Sequence, residues 1–174
     1  LVVLLVVWQV LSRHPWTIHW GTIGLMWIES LILVIPIIVL AALLSSSDMP
    51  LAVSVPVRET VAERMAMGIG AGLYEELIFR WAMIATVHSL LVDGFGLSHQ
   101  KTVFIAVAIS AVTFMLYHPI HGEDGGLLAG LAVFYLASGV YFSAVYLLRG
   151  FGIVAATHAV YDVFVVLLAS SITD

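Results

Sequence analysis

Cysteine is absent from the 174 residues, and charge is scarce: six Lys and Arg stand against eleven Asp and Glu. Without cysteine there is no disulfide, no thiol nucleophile and no Cys-containing zinc site. A formal net charge of −5 offers no basic surface to a phosphate backbone, which argues against nucleic acid as a partner. What fills the chain instead is apolar. Hydrophobic residues make up 62% and the mean hydropathy is +1.12, whereas a soluble domain is roughly 45–50% apolar and about 25% charged. The lipid bilayer is therefore the expected surroundings, and the chain reads as a multi-pass integral membrane protein, expected in the cell membrane.

Apolar runs of spanning length are separated by helix breakers. The opening run, Leu1 to Leu11, is shorter than the roughly 20 residues of a bilayer span and reads as the cut end of a longer helix. Five longer segments follow, at about Thr22–Leu44, Glu63–Val92, Thr102–His118, Leu127–Leu148 and Ile153–Ser170. Between the first two of these, Ser45 to Pro50 is a string of helix breakers, and the following stretch to Arg64, bearing Pro56, Arg58, Glu59 and Glu63, reads as an interfacial loop leading into a helix. Because backbone groups in hydrocarbon must bond internally, the fold class is all-α: a polytopic transmembrane helical bundle of about six segments. Residues 1–62 are expected to be leading helices and that loop, and 63–174 a catalytic helical core within one membrane domain.

Three charges then stand where charge is expensive. Glu75, Glu76 and Arg80 lie in the middle of an apolar segment, each costing roughly 2.5–3.5 kcal/mol on insertion scales if unpaired. Glu76 and Arg80 are four apart with the acid first, the favourable order for an intrahelical pair. Glu75 is rotated about 100° away and lacks that cation, so it is the carboxylate expected to face a cavity and to suit a general base. A structural ion-pair network is the bland alternative. Two histidines on other segments weigh against it. His118 follows Phe114 by one turn, and His158 precedes Asp162 by one turn. Two imidazoles and a carboxylate from three helices can activate water and stabilise an oxyanion. Glu29 is a lone acid that either pairs with Arg80 or belongs to the lipid interface, with no catalytic role expected, and His14, His19, His88, His99 and His121 sit at loops or near helix ends, where histidine is ordinary. Trp8, Trp16 and Trp20 read as interfacial anchors, and Gly68 with Gly72 as a small-xxx-small packing face.

Other intramembrane hydrolase designs fit poorly. Ser138-Gly139 lacks a nucleophile-like context, only Asp162 offers an intramembrane aspartate, and no His-Glu-x-x-His occurs. The motifs that are present, Glu75-Glu76-x-x-x-Arg80, Phe114-x-x-x-His118 and His158-x-x-x-Asp162, resemble those of the CPBP family. These are the CAAX protease and bacteriocin-processing membrane proteins, also called Abi, which include the type II CAAX prenyl endopeptidases. The resemblance covers about Met65 to Ser170. It implies an intramembrane endopeptidase acting on a membrane-associated peptide or protein substrate, with a prenylated CAAX-type protein as one candidate. It further implies that Glu75 activates water, His118 assists, and His158 with the residue at 162 stabilises the oxyanion, while Glu76, Arg80 and Phe114 are structural or substrate-orienting. Asp162 stands where the family has Asn or Asp, and an ionised carboxylate accepts hydrogen bonds without donating any, so it is expected to orient His158. No cofactor is favoured. Zinc is the alternative, held by Glu75, His118 and His158 with an open fourth position. The competing class is a non-proteolytic membrane scaffold or bacteriocin-immunity protein built from the same helices.

Overall fold

The computed structural model describes residues 2–13, 15–44 and 60–173. Of the expected loop, Ser45 to Pro50, Pro56, Arg58 and Glu59 lie outside them, as does Leu1. Among the described residues the fold is all-α, with no strand and one isolated bridge between His121 and Leu127. Six helices follow one another: α1 (Val2–Ser12), α2 (Trp20–Leu44), α3 (Val61–Gly94), α4 (His99–Tyr117), α5 (Ala129–Arg149) and α6 (Phe151–Thr173). All but α1 are long and apolar enough to cross a membrane.

Local chemistry sets the breaks. Pro36 has no N–H to give the Ile32 carbonyl, so α2 loosens into a turn at Val34 before continuing from Ile35. Helix α3 opens on a reciprocal capping box, in which the Glu63 N–H donates to Thr60 Oγ1 and the Thr60 N–H to Glu63 Oε2. Between α5 and α6 the chain reverses at Gly150, whose φ of +87° is a left-handed conformation that a side chain would strain. Helix α3 is π-helical over Glu76–Ile84 and again over Leu90–Gly94. The first of these wider stretches begins immediately after Glu75, and π turns concentrate at functional sites.

The apolar core joins Ile37 and Ala41 of α2 to Phe134, Phe142 and Val145 of α5 and to Ile153 and Val154 of α6. Elsewhere the large hydrophobics Leu25, Ile28, Phe104, Leu116 and Leu148 face outward. That is the inside-out economy of a bilayer protein, which turns apolar side chains to lipid and gathers polar ones within. Close helix contacts depend on small residues. A Cβ on Gly139 of α5 would come 2.8 Å from the Ala111 Cα of α4, and one on Gly72 of α3 would come 3.2 Å from the Ala159 nitrogen of α6. The packing face read from Gly68 and Gly72 is thus where α6 docks on α3.

One expected pairing is corrected. Glu29 meets Arg149, not Arg80: Nη2 of Arg149 donates to Glu29 Oε2 at 2.7 Å and its Nε to Oε1. The last residue of α5 lies beside α2, while Arg80 is fully buried and paired with Glu76. Tyr141 Oη, donating to the Leu33 carbonyl at 2.7 Å, ties the same two helices.

Candidate active site

Glu75 stands 14 residues into α3, whereas His118 ends α4. Counted from the start of each helix, their depths disagree. Counted from the turn that joins the helices they agree, because Glu75 is 19 residues before Gly94 and His118 is 19 residues after His99. Helix α3, with 34 residues, would be about 50 Å long if wholly α-helical, against a hydrocarbon core of about 30 Å. Helix α4 has only 19 residues. It is the shorter arm of a helical hairpin and stops level with Glu75.

At that level four helices supply the site. Glu75 Oε2 lies 3.6 Å from His118 Nε2 and 3.9 Å from His158 Nε2. The carboxylate oxygen is buried and has no hydrogen-bond partner among the described residues. On the other side of each ring Nδ1 is engaged. His118 Nδ1–H donates to the Phe114 carbonyl at 2.8 Å, so the first residue of that motif fixes the last through its backbone. His158 Nδ1–H donates to Glu76 Oε1 at 2.7 Å. A carbonyl and a carboxylate only accept, which puts the proton on Nδ1 in both rings and turns both Nε2 atoms toward Glu75.

The spacing of His158 and Asp162 led to the expectation that Asp162 orients the imidazole. Instead Glu76 does so, across helices. Asp162 Oδ1 is 3.8 Å from His158 Nε2, beyond a hydrogen bond. A side chain four residues on along one helix reaches the ring edge less well than one facing it from α3.

Glu76 and Arg80 do form the expected intrahelical pair, 3.1 Å apart and fully buried. The guanidinium also lies 4.2 Å from the Phe114 ring centroid and 5.4 Å from that of Phe142, so aromatic faces cover the cation where lipid or water would otherwise be. Each motif histidine also has an aromatic neighbour on α5. Tyr135 stacks on His118, with centroids 4.0 Å apart and planes at 23°, and Phe142 stacks on His158 at 4.7 Å and 17°. Neither was singled out from the sequence, although their seven-residue spacing places them on one helix face.

Residues 58–164 match the family model of the Type II CAAX prenyl endopeptidase Rce1-like proteins, which is more than half of the chain and includes all three motifs. The chain belongs to that family. It is therefore a multi-pass member of a family of membrane proteases, as the motif resemblance implied. No curated protein and no solved structure matches it.

His158 is eight residues beyond Gly150, or about 12 Å along α6 from a turn that must lie outside the hydrocarbon.

Proposed function

We propose that the chain hydrolyses a peptide bond near the C-terminus of a prenylated, membrane-associated CAAX-type protein, with a water activated by Glu75 and His118. The observation that carries this reading is the convergence of two Nε2 atoms on one unpartnered carboxylate oxygen. Gaps of 3.6 and 3.9 Å are too long for direct hydrogen bonds and suit a shared water molecule. Glu75 takes a proton from that water as its oxygen attacks the scissile carbonyl carbon, and His118 Nε2 holds it in line. The carbonyl oxygen becomes the oxyanion of a tetrahedral intermediate. His158, carrying a second proton on Nε2, donates to that oxyanion while Glu76 holds its Nδ1 side. The proton taken by Glu75 then passes to the leaving amine, and the C–N bond breaks.

In this scheme Glu76 and Arg80 act through His158, and Asp162 lies beside the oxyanion donor without contacting the water. The reaction as written uses no metal. The test is cleavage of a farnesylated CAAX peptide by the purified full chain in liposomes. General base removal is worth about 10²–10⁴-fold, so Glu75→Gln should lose at least about a hundredfold in kcat. Wild-type rates in that variant would sink the proposal. Activity lost on chelation and restored by zinc would transfer the role to the Glu75, His118 and His158 zinc set, and a wild-type chain that binds the peptide without cutting it would favour the scaffold reading.

A further inference from the structure

Helix α5 contains none of the three motifs, yet it touches both histidines. His118 has the weaker local support of the two. It follows the last residue of α4 with an extended backbone, φ −92° and ψ 157°, so no helical turn fixes its side chain. Its ring is held by one hydrogen bond, to the carbonyl of Phe114, and rotation about that bond would swing Nε2 away from Glu75. The ring face is what remains to be fixed, and Tyr135 covers it at 4.0 Å and 23°. Tyr117 and Phe114 meet the same imidazole only at steeper angles, 86° and 53°. The Tyr135 ring is itself braced by Phe134 at 5.4 Å and by Phe114 at 6.3 Å. Its hydroxyl makes no hydrogen bond among the described residues, so the ring is not placed there by a polar anchor.

We infer that Tyr135 is a positioning residue for the hydrolytic reaction: its ring stacks on His118 and keeps Nε2 aimed at Glu75 Oε2. The inference rests on the proposed role of Glu75 and His118 and adds the α5 helix to the machinery. An imidazole free to turn would spend less time in line with the water, and catalysis is steep in such misplacement, about a hundredfold for 1 Å. The ring matters in this account and the hydroxyl does not.

Cleavage of a farnesylated CAAX peptide is to be measured with wild type, Tyr135→Phe, Tyr135→Leu and Glu75→Gln, as full chains in liposomes, with thermal unfolding of each. Tyr135→Phe should stay within about threefold of wild-type kcat, and Tyr135→Leu should lose about ten- to a hundredfold with KM little changed. If Tyr135→Leu does not fold, Tyr135→Met supplies a side chain that fills irregular space without a planar face, and the same loss is expected of it. A folded Leu or Met variant with wild-type kcat overturns the inference. So does a Tyr135→Phe variant as slow as Tyr135→Leu, which would place the function in the hydroxyl. The Glu75→Gln arm separates the two layers: if that variant stays active the hydrolytic scheme fails, whatever Tyr135 does.

Discussion

The Glu76–Arg80 and Glu29–Arg149 pairs share their chemistry and differ in setting. Glu76 and Arg80 lie four residues apart on α3 and are wholly buried. Among the described residues none of the three guanidinium nitrogens makes a well-aimed hydrogen bond, although Nη1 is close to the carboxylate, and aromatic rings cover the cation. Glu29 and Arg149 come from different helices, meet through two hydrogen bonds, and remain 30% and 53% exposed. Geometry alone would make the outer pair the better salt bridge. The inner pair shares Glu76 Oε1 with His158, whose Nδ1–H donates to it at 2.7 Å. A buried pair is weak evidence for stability in itself; here it couples the fold to an imidazole.

The largest effect should follow from breaking the inner pair. Arg80→Ala strands Glu76 in an enclosed site, and removal of one partner of a buried pair typically costs about 3–5 kcal/mol. Folded protein recovered in detergent and its melting temperature should both fall sharply. A normal melting temperature with cleavage lost would assign Arg80 to substrate binding instead.

A smaller effect is expected at Asp162, which shares the inner pair's surroundings without touching it. Its Oδ2 would lie 3.1 Å from a Cβ on Gly72, so the side chain is pressed against the α3 glycine face. Asn has the same shape and fits. Asp162→Asn should therefore keep most of the wild-type kcat, and it adds a donor beside the oxyanion. Asp162→Ala removes a carboxylate that lies 3.8 Å from His158 Nε2 without a hydrogen bond, so it should cost about two- to tenfold in kcat, no more than about 1.4 kcal/mol. Equal rates in wild type and both variants would make Asp162 a bystander.

These two regions were unequally legible in the sequence. Long apolar runs and their breakers locate helices well, because hydrocarbon permits little else. The inner site was legible because three charges in an apolar run demand an explanation, and the histidine motifs point to the same place. The partner of His158 was not, since i,i+4 spacing finds contacts along a helix while Glu76 reaches the ring from another. The same limit hid Tyr135, whose importance depends on how α5 sits beside the end of α4. The partner of Glu29 is hidden for this reason too: nothing in the order of the residues says which helix end comes to lie beside α2.

The smallest effect is expected at the outer pair, and it tests where that pair sits. Arg149 ends α5 just before the Gly150 turn. Irregular backbone exposed to lipid is not tolerated in the hydrocarbon, so the turn belongs at the bilayer surface. There a freed arginine can extend its charged end into the headgroup and water layer, and exposed ion pairs contribute little. Glu29→Gln should then leave kcat on the farnesylated peptide unchanged and lower the melting temperature by far less than Arg80→Ala. Tyr141, bonded to the Leu33 carbonyl, would still hold α2 to α5. Melting curves of Glu29→Gln and Arg80→Ala in the same detergent and in liposomes decide the matter. A loss for Glu29→Gln as large as that for Arg80→Ala would mean that the outer pair faces hydrocarbon, where the stranded arginine has no water to reach, and the contrast between the two pairs would vanish.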